Sequence, residues 1–233
     1  MKTTRAARPL LILLHGTWSS GAEMAPVGES LGAEVDVVVP DLPGHGTRRA
    51  EPYSLARSAA VVDAIVTAAG ERDVVVAGHS LGGFAALTYA ERNPGRMAGL
   101  ALLGCATEPR GAGAAAYRAA GRAFDLFGPL RMRSMFRGER FLPVAPLWDE
   151  VIDRCGSRQL REVSCPVLLL GGRFDQLHLG ARSFSRAARH ATVVTRSSRS
   201  HVWPYRRPHE VAAELRLWLR TEVLPRLAVS AAR

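Results

Sequence analysis

Lysine is almost missing from this chain: one Lys stands beside 30 Arg and against 21 acids, for a net charge of +10. So one-sided a choice of cation reflects genomic base composition. No zinc-finger, RNA-recognition or basic-helix pattern accompanies it, and no nucleic-acid partner is expected. Cysteine is scarce as well. Cys105, Cys155 and Cys165 are odd in number and lack metal-ligand spacing, which predicts reduced, buried thiols in a cytoplasmic protein. The histidines show no ligand spacing either, so neither a metal nor an organic cofactor is expected. Long apolar runs are wanting: Pro9–Leu14 and Val163–Gly172 fall far short of the ~20 residues that cross a bilayer, and no membrane partner is expected. Met1–Arg8 is basic and precedes apolar residues, but the apolar part is shorter than the ~7–15 residues of a signal core and no small-residue cleavage site follows. It reads as a short tail entering a buried strand. Repeats, low-complexity tracts and flexible linkers are absent.

What is present is an ordinary globular composition. The chain has 233 residues, 47% apolar and 6% aromatic, enough for one domain with a sizeable core and far from a disordered composition. Short Val-, Leu- and Ile-rich runs recur at Pro9–Leu14, Glu34–Val39, Asp73–Ala77, Met97–Leu103, Pro166–Leu170 and Ala191–Thr195. They are apolar on both faces, as in strands of a parallel sheet sandwiched between helices. Helical patterns lie between them. Ser54–Ala69 has a capping serine, an apolar face of Val61, Val62, Ile65 and Val66, and a stop at Gly70; Leu81–Asn93 ends before Pro94; Pro208–Leu227 carries Val211, Leu215, Trp218 and Leu219 on one side. This alternation predicts a doubly wound α/β fold with right-handed crossovers. Residues 107–162 break the rhythm. They hold helical pieces separated by Pro129, Pro143 and Pro146, with Tyr117, Phe124 and Phe127 on one face and Leu147, Val151 and Cys155 on another. The expected organisation is a core of 1–106 and 163–233 with 107–162 as a helical cap inserted over the sheet.

The sharpest local signal is Val74-Val75-Val76-Ala77-Gly78-His79-Ser80-Leu81-Gly82-Gly83. A serine spaced G-x-S-x-G between a strand and a helix is a nucleophile elbow. The sharp turn lifts the Ser80 hydroxyl above the sheet, the glycines avoid collisions, and the helix N-terminus favours developing negative charge. His15-Gly16-Thr17-Trp18 follows the first strand, and Asp41-Leu42-Pro43-Gly44-His45-Gly46 the second. With these motifs the chain resembles the α/β-hydrolase superfamily along nearly its whole length. The resemblance implies that the chain begins at the third strand of an eight-stranded fold, leaving a mostly parallel sheet of about six.

A serine hydroxyl needs a base, and the base needs an orienting acid. The resemblance implies the order Ser, acid, His. Asp175, just past the run Pro166–Leu170, is the expected acid. His201, between the last strand and the last helix, is the expected base. Asp149 and Asp153 are the rival acids. His15 and His45 are expected to shape loops, His79 occupies the elbow's variable position, and His178, His190 and His209 are expected to be solvated or capping. The oxyanion donors are expected to be the backbone N–H groups of Leu81 and, by the resemblance, Thr17, with Trp18 as the alternative.

Candidate substrate-contacting residues are Tyr117, Phe124, Phe127, Met132, Met135, Phe136 and Trp148, with Trp18 from below; they suit an apolar acyl or alcohol group, and serve equally to pack the cap onto the core. Residues 173–207 hold eight Arg against one acid, with Arg182, Arg186 and Arg189 at helical spacing and Arg199, Arg206 and Arg207 around His201. That rim suits an anionic substrate, a coenzyme A thioester or an acidic carrier protein, against the plainer reading of a solvated Arg face. The expected activity is hydrolysis of a small or medium carboxylic ester by a Ser–His–Asp triad through an acyl-enzyme. The alternatives are a thioesterase acting on coenzyme A or carrier-protein thioesters and, from another class, a small-molecule receptor with a vestigial hydrolase pocket. Ser80 argues against dehalogenases and epoxide hydrolases, which place an aspartate at the elbow.

Overall fold

The central strands are apolar at consecutive positions, so each must bury both faces, and the chain does this by wrapping one sheet with helices on either side. A computed structural model describes residues 8–32, 34–127 and 142–231. Its six strands, β1 (Leu10–Leu14), β2 (Asp36–Val38), β3 (Val74–His79), β4 (Gly99–Leu103), β5 (Val167–Phe174) and β6 (Ala191–Ser200), pair in parallel in the order β2-β1-β3-β4-β5-β6. Leu10, Ile12, Leu14, Val74, Val76, Leu100, Leu102, Val167 and Leu169 enter one core; Leu11, Leu13, Val75, Ala77, Ala101, Leu103, Leu168 and Leu170 enter the other.

The first core is closed by α2 (Leu55–Ala69) and α3 (Leu81–Arg92), the second by α1 (Gly21–Glu29) and α8 (Pro208–Trp218). Ser54 caps α2 by accepting the Arg57 N–H at 3.1 Å, as its sequence pattern predicts. Between β4 and β5 lie α4 (Ala112–Phe127) and α5 (Val144–Arg154), with no strand among the described residues there. The Asp125 carboxylate joins these two helices by accepting the Val144 and Ala145 N–H groups at the first turn of α5. Leu147, Val151 and Cys155 reach the first core. The remaining helices are α6 (Ala181–Ala187), α7 (Trp203–Arg206) and α9 (Leu224–Ala231).

Two sequence expectations need correction. β2 and β6 are not buried on both faces; they are edge strands with one flank open. The pattern over Pro208–Leu227 is not one regular helix, because a wider π turn at Leu219–Val223 separates α8 from α9. Pro225 follows that turn and has no N–H to continue the ladder. Helix α1 forms despite Gly21, Pro26 and Gly28, because burial of Met24 and Val27 in the second core outweighs their poor helix propensity. Among the described residues, no helix is long and apolar enough to cross a membrane.

Candidate active site

Strand register, rather than local sequence, gathers this site. Phe174 of β5 pairs with Ser200 of β6, so Asp175 and His201 leave adjacent strands at one level. His79 of β3 pairs with Leu103 of β4, so Ser80 and Gly104 do the same one strand further along. All four therefore stand at the carboxyl edge of the sheet, where open α/β folds bind ligands.

Ser80 sits at φ 52°, ψ −118°, a backbone strain typical of functional turns. The turn closes so tightly that a Cβ on Gly78 would lie 2.4 Å from the Gly82 carbonyl carbon. The Ser80 Oγ lies 2.9 Å from His201 Nε2, and His201 Nδ1 lies 2.9 Å from Asp175 Oδ1. The carboxylate only accepts, so Nδ1 carries the proton and Nε2 is free to accept from the serine hydroxyl. Asp175 Oδ1 also accepts the Leu177 N–H at 2.9 Å, which fixes the carboxylate from its own turn. Burial alone would push the Asp175 carboxyl up. The hydrogen bond and charge of His201, the Leu177 N–H and the nearby His79 together bring it below the usual carboxylate range.

A second set of hydrogen bonds holds this chain in place. His79 Nε2 lies 2.9 Å from the His201 carbonyl oxygen and must donate to it. His79 Nδ1 is then an acceptor, 3.2 Å from the Tyr205 hydroxyl, and that hydroxyl accepts the Gly16 N–H at 2.8 Å. His15 works the same way on the other side. Its Nε2 accepts the Leu42 N–H at 3.0 Å, so its Nδ1 donates to the Gly16 carbonyl at 2.8 Å. The backbone around Thr17 is thus held from both sides, and Leu81, as the first residue of α3, presents an N–H to the same space.

These histidines make stability fall in mild acid. Burial and neighbouring imidazoles lower His79 to about 3, and burial and His45 lower His15 to about 4. Both stay neutral in the native state while the unfolded chain takes up protons below its ordinary value of about 6.5. Stability contributed by their neutral forms is therefore complete above that value and drains away from about pH 6.5 down to about 4 for His15 and about 3 for His79, at up to about 1.4 kcal/mol per pH unit for each. The urea-unfolding midpoint should drop between pH 7.5 and 5; a constant midpoint would contradict this burial.

Two cavities share Ser80 in their walls. The larger, of about 290 Å³, is lined by Trp18, Phe124, Val144, Trp148, His201 and Val202 among others. The smaller, of about 30 Å³, reaches Phe84, Thr107, Tyr117, Val151 and Ile152. Thr17, Ser80, Trp148 and Leu177 line both. Of the candidate contact residues, Trp18, Tyr117, Phe124 and Trp148 are here, and Trp18 stacks on Phe124 with ring centroids 4.8 Å apart. Phe127 is not among the described lining residues. It is 74% exposed at the last position of α4, where Leu126 is equally exposed. Met132, Met135 and Phe136 lie outside the described residues. The rival acids Asp149 and Asp153 face Arg118 of α4, forming ion pairs remote from His201. His178 is buried rather than solvated, because its turn tucks it under β5 with Nε2 2.9 Å from Thr195 Oγ1.

Three of the eight arginines of 173–207 are engaged in ion pairs. Arg199 makes a two-pronged pair with Glu210, at 2.8 and 3.0 Å; Arg196 pairs with Glu214, and Arg189 with Glu162. Helix α6 ends at Ala187, so Arg189 is off the face of Arg182 and Arg186. No arginine is among the described residues lining either cavity.

Sequence reasoning missed Tyr205, the bridging role of His79, and Gly104. At φ 56°, Gly104 would bring a Cβ within 2.5 Å of Asp175 Oδ2 and 3.1 Å of His201 Nδ1. A glycine directly after an apolar strand was the available signal, but nothing local says what lies over it.

Known proteins resemble this chain in sequence and in fold. A model of the alpha/beta hydrolase family matches residues 11–214. A pimeloyl-[acyl-carrier protein] methyl ester esterase of Aromatoleum aromaticum is 41% identical over 98 residues, 42% of this chain and 37% of that protein. Lipase LipV of Mycobacterium tuberculosis is 32% identical over 94 residues, 40% of this chain and 36% of its own. These matches span little more than a third of the curated relatives' length. A thermophilic esterase from Thermogutta terrifontis superposes with a TM-score of 0.74 at 23% identity, covering 92% of this chain and 90% of that one.

Proposed function

This chain belongs to the alpha/beta hydrolase family, and from that premise we propose that it is a serine hydrolase of carboxylic esters, with Ser80 as nucleophile, His201 as base and Asp175 as orienting acid. The observation that carries the reading is the unbroken chain of 2.9 Å contacts from Ser80 through His201 to Asp175, opening on an apolar cavity. Ser80 Oγ attacks the ester carbonyl while His201 Nε2 takes its proton. The N–H groups of Thr17 and Leu81 hold the oxyanion, a contribution of ~10²–10³ in kcat for each donor. His201 returns the proton to the leaving alcohol. Water, deprotonated by the same nitrogen, then releases the acid and restores Ser80.

Helices α4 and α5 supply the cap in this reading, with 107–162 inserted into a core of 1–106 and 163–233. Phe124 and Trp148 support it by lining the same cavity as Ser80, and Glu150 of α5 accepts the Leu55 N–H at the start of α2 at 3.0 Å. Esters are favoured over thioesters of coenzyme A or carrier proteins, because no arginine among the described lining residues awaits a phosphate and the named relatives are an ester esterase and a lipase. A small-molecule receptor makes a different prediction. Here a fluorophosphonate should label the protein at one site per chain, and Ser80→Ala should abolish both labelling and turnover of p-nitrophenyl butyrate. A protein that resists labelling and turns over no ester is not this enzyme.

The Tyr205 hydroxyl joins the oxyanion loop to the His79–His201 pair. Tyr205→Phe should therefore lower kcat about tenfold with little change in KM, since it loosens positioning while the ring stays in the wall of the large cavity. Steady-state kinetics on a p-nitrophenyl ester would show a KM effect instead if Tyr205 only shaped the cavity.

A further inference from the structure

The two cavities that share Ser80 are unequal, and the site's chemistry assigns each a different half of the ester. We propose that the small lobe holds the acyl group and the large lobe the alcohol, so that the substrate class is a short-chain acyl ester of a bulky, uncharged, apolar alcohol. The proposal rests on the serine-hydrolase reading and goes beyond it.

Proton traffic sets the polarity. In acylation the Ser80 Oγ–carbonyl bond forms as the carbonyl–alkoxy bond breaks, and the departing oxygen takes the proton that His201 removed from Ser80. That oxygen must lie within hydrogen-bond reach of His201 Nε2. His201 and Val202 line the large lobe and are absent from the described lining of the small one. Deacylation repeats the constraint. The incoming water must also reach His201 Nε2, so it enters where the alcohol has left, while the acyl group stays on the other side. That other side is the small lobe, between Leu81, Phe84, Thr107 and Ile152.

Size then sets the class. A cavity of about 150 Å³ admits benzene, and a single water needs about 10–15 Å³ of such space. The small lobe, at about 30 Å³, suits an acetyl-sized group, whereas the large one, at about 290 Å³, takes a fused bicyclic ring. Trp18, Phe124, Val144 and Trp148 make its wall apolar. Trp148 lines both lobes and stands between them, with its ring centroid 5.8 Å from that of Tyr117 on the small-lobe side. This arrangement is the reverse of a methyl ester of a long acyl chain.

An isomeric pair tests the polarity with the atoms held constant. 2-Naphthylmethyl acetate puts the ring on the alcohol, methyl 2-naphthylacetate on the acyl side, and the two alcohols are comparable leaving groups. The acetate should be preferred by 100-fold or more in kcat/KM. Trp148→Ala should cut that ratio at least tenfold by raising turnover of the methyl ester, and Ile152→Ala, which opens only the small lobe, should move it the same way if Trp148→Ala does not fold. Equal rates, a reversed preference, or a ratio unmoved in both variants would overturn the assignment. Labelling of Ser80 by a small ethoxy fluorophosphonate separates the failures: with labelling intact only the polarity is wrong, and without labelling or ester turnover the hydrolase reading falls too.

Discussion

His201→Ala is expected to lower kcat on a p-nitrophenyl ester by on the order of 10⁵–10⁶, Ser80→Ala by the same amount, and the double variant by no more than either. The lack of additivity is the diagnostic feature. In the proposed mechanism Ser80 Oγ and His201 Nε2, 2.9 Å apart, act as one unit, so removing either would remove the activated nucleophile. Asp175→Ala should cost less, about 10⁴, because the imidazole remains and loses only its tautomer and alignment. Far-UV spectra and thermal unfolding would establish that each variant is folded. A folded His201→Ala enzyme within tenfold of the parent would sink the base assignment.

Gly104→Ala is the second large effect, and the side chain it adds touches no substrate. At φ 56° an alanine costs about 1–2 kcal/mol of backbone strain, which lowers Tm by about 2–8 °C in a chain of this size. Its Cβ also lands 2.5 Å from Asp175 Oδ2, and Asp175 is only 1% exposed, so the carboxylate has little room to retreat. Pushing Asp175 and His201 out of line should reduce kcat 10²-fold or more. Gly111→Ala is the control. It sits at φ 52° with nothing within 4 Å of the added Cβ, so it should lose comparable stability and keep its kcat. Equal kcat values for the two variants would show that Gly104 is merely a turn.

Much of the architecture is legible in the chain because hydrophobic periodicity is local. Val74 to Ala77 alternates between two cores, Ser54 and Gly70 bracket α2, and Gly78, Ser80 and Gly82 announce the elbow. Asp175 and His201 were legible as candidates by their places after β5 and before α8. Other features depended on partners far away in sequence. Arg199 reads as free cation until Glu210 folds against it, and Phe127 reads as pocket lining until α4 points it outward. His178 reads as solvated until its turn packs under β5.

From the order of its residues alone, this protein was committed to a parallel sheet wrapped on both sides and to a serine raised on a strained turn. Periodicity and steric demand within a few residues settle such things. Tertiary structure decided that residues 121 and 26 positions apart from His201 meet it at 2.9 Å, and that two cavities of unequal size open on either side of the serine. Those outcomes follow from lateral strand register and from how helices pack across it, which no short stretch of chain encodes.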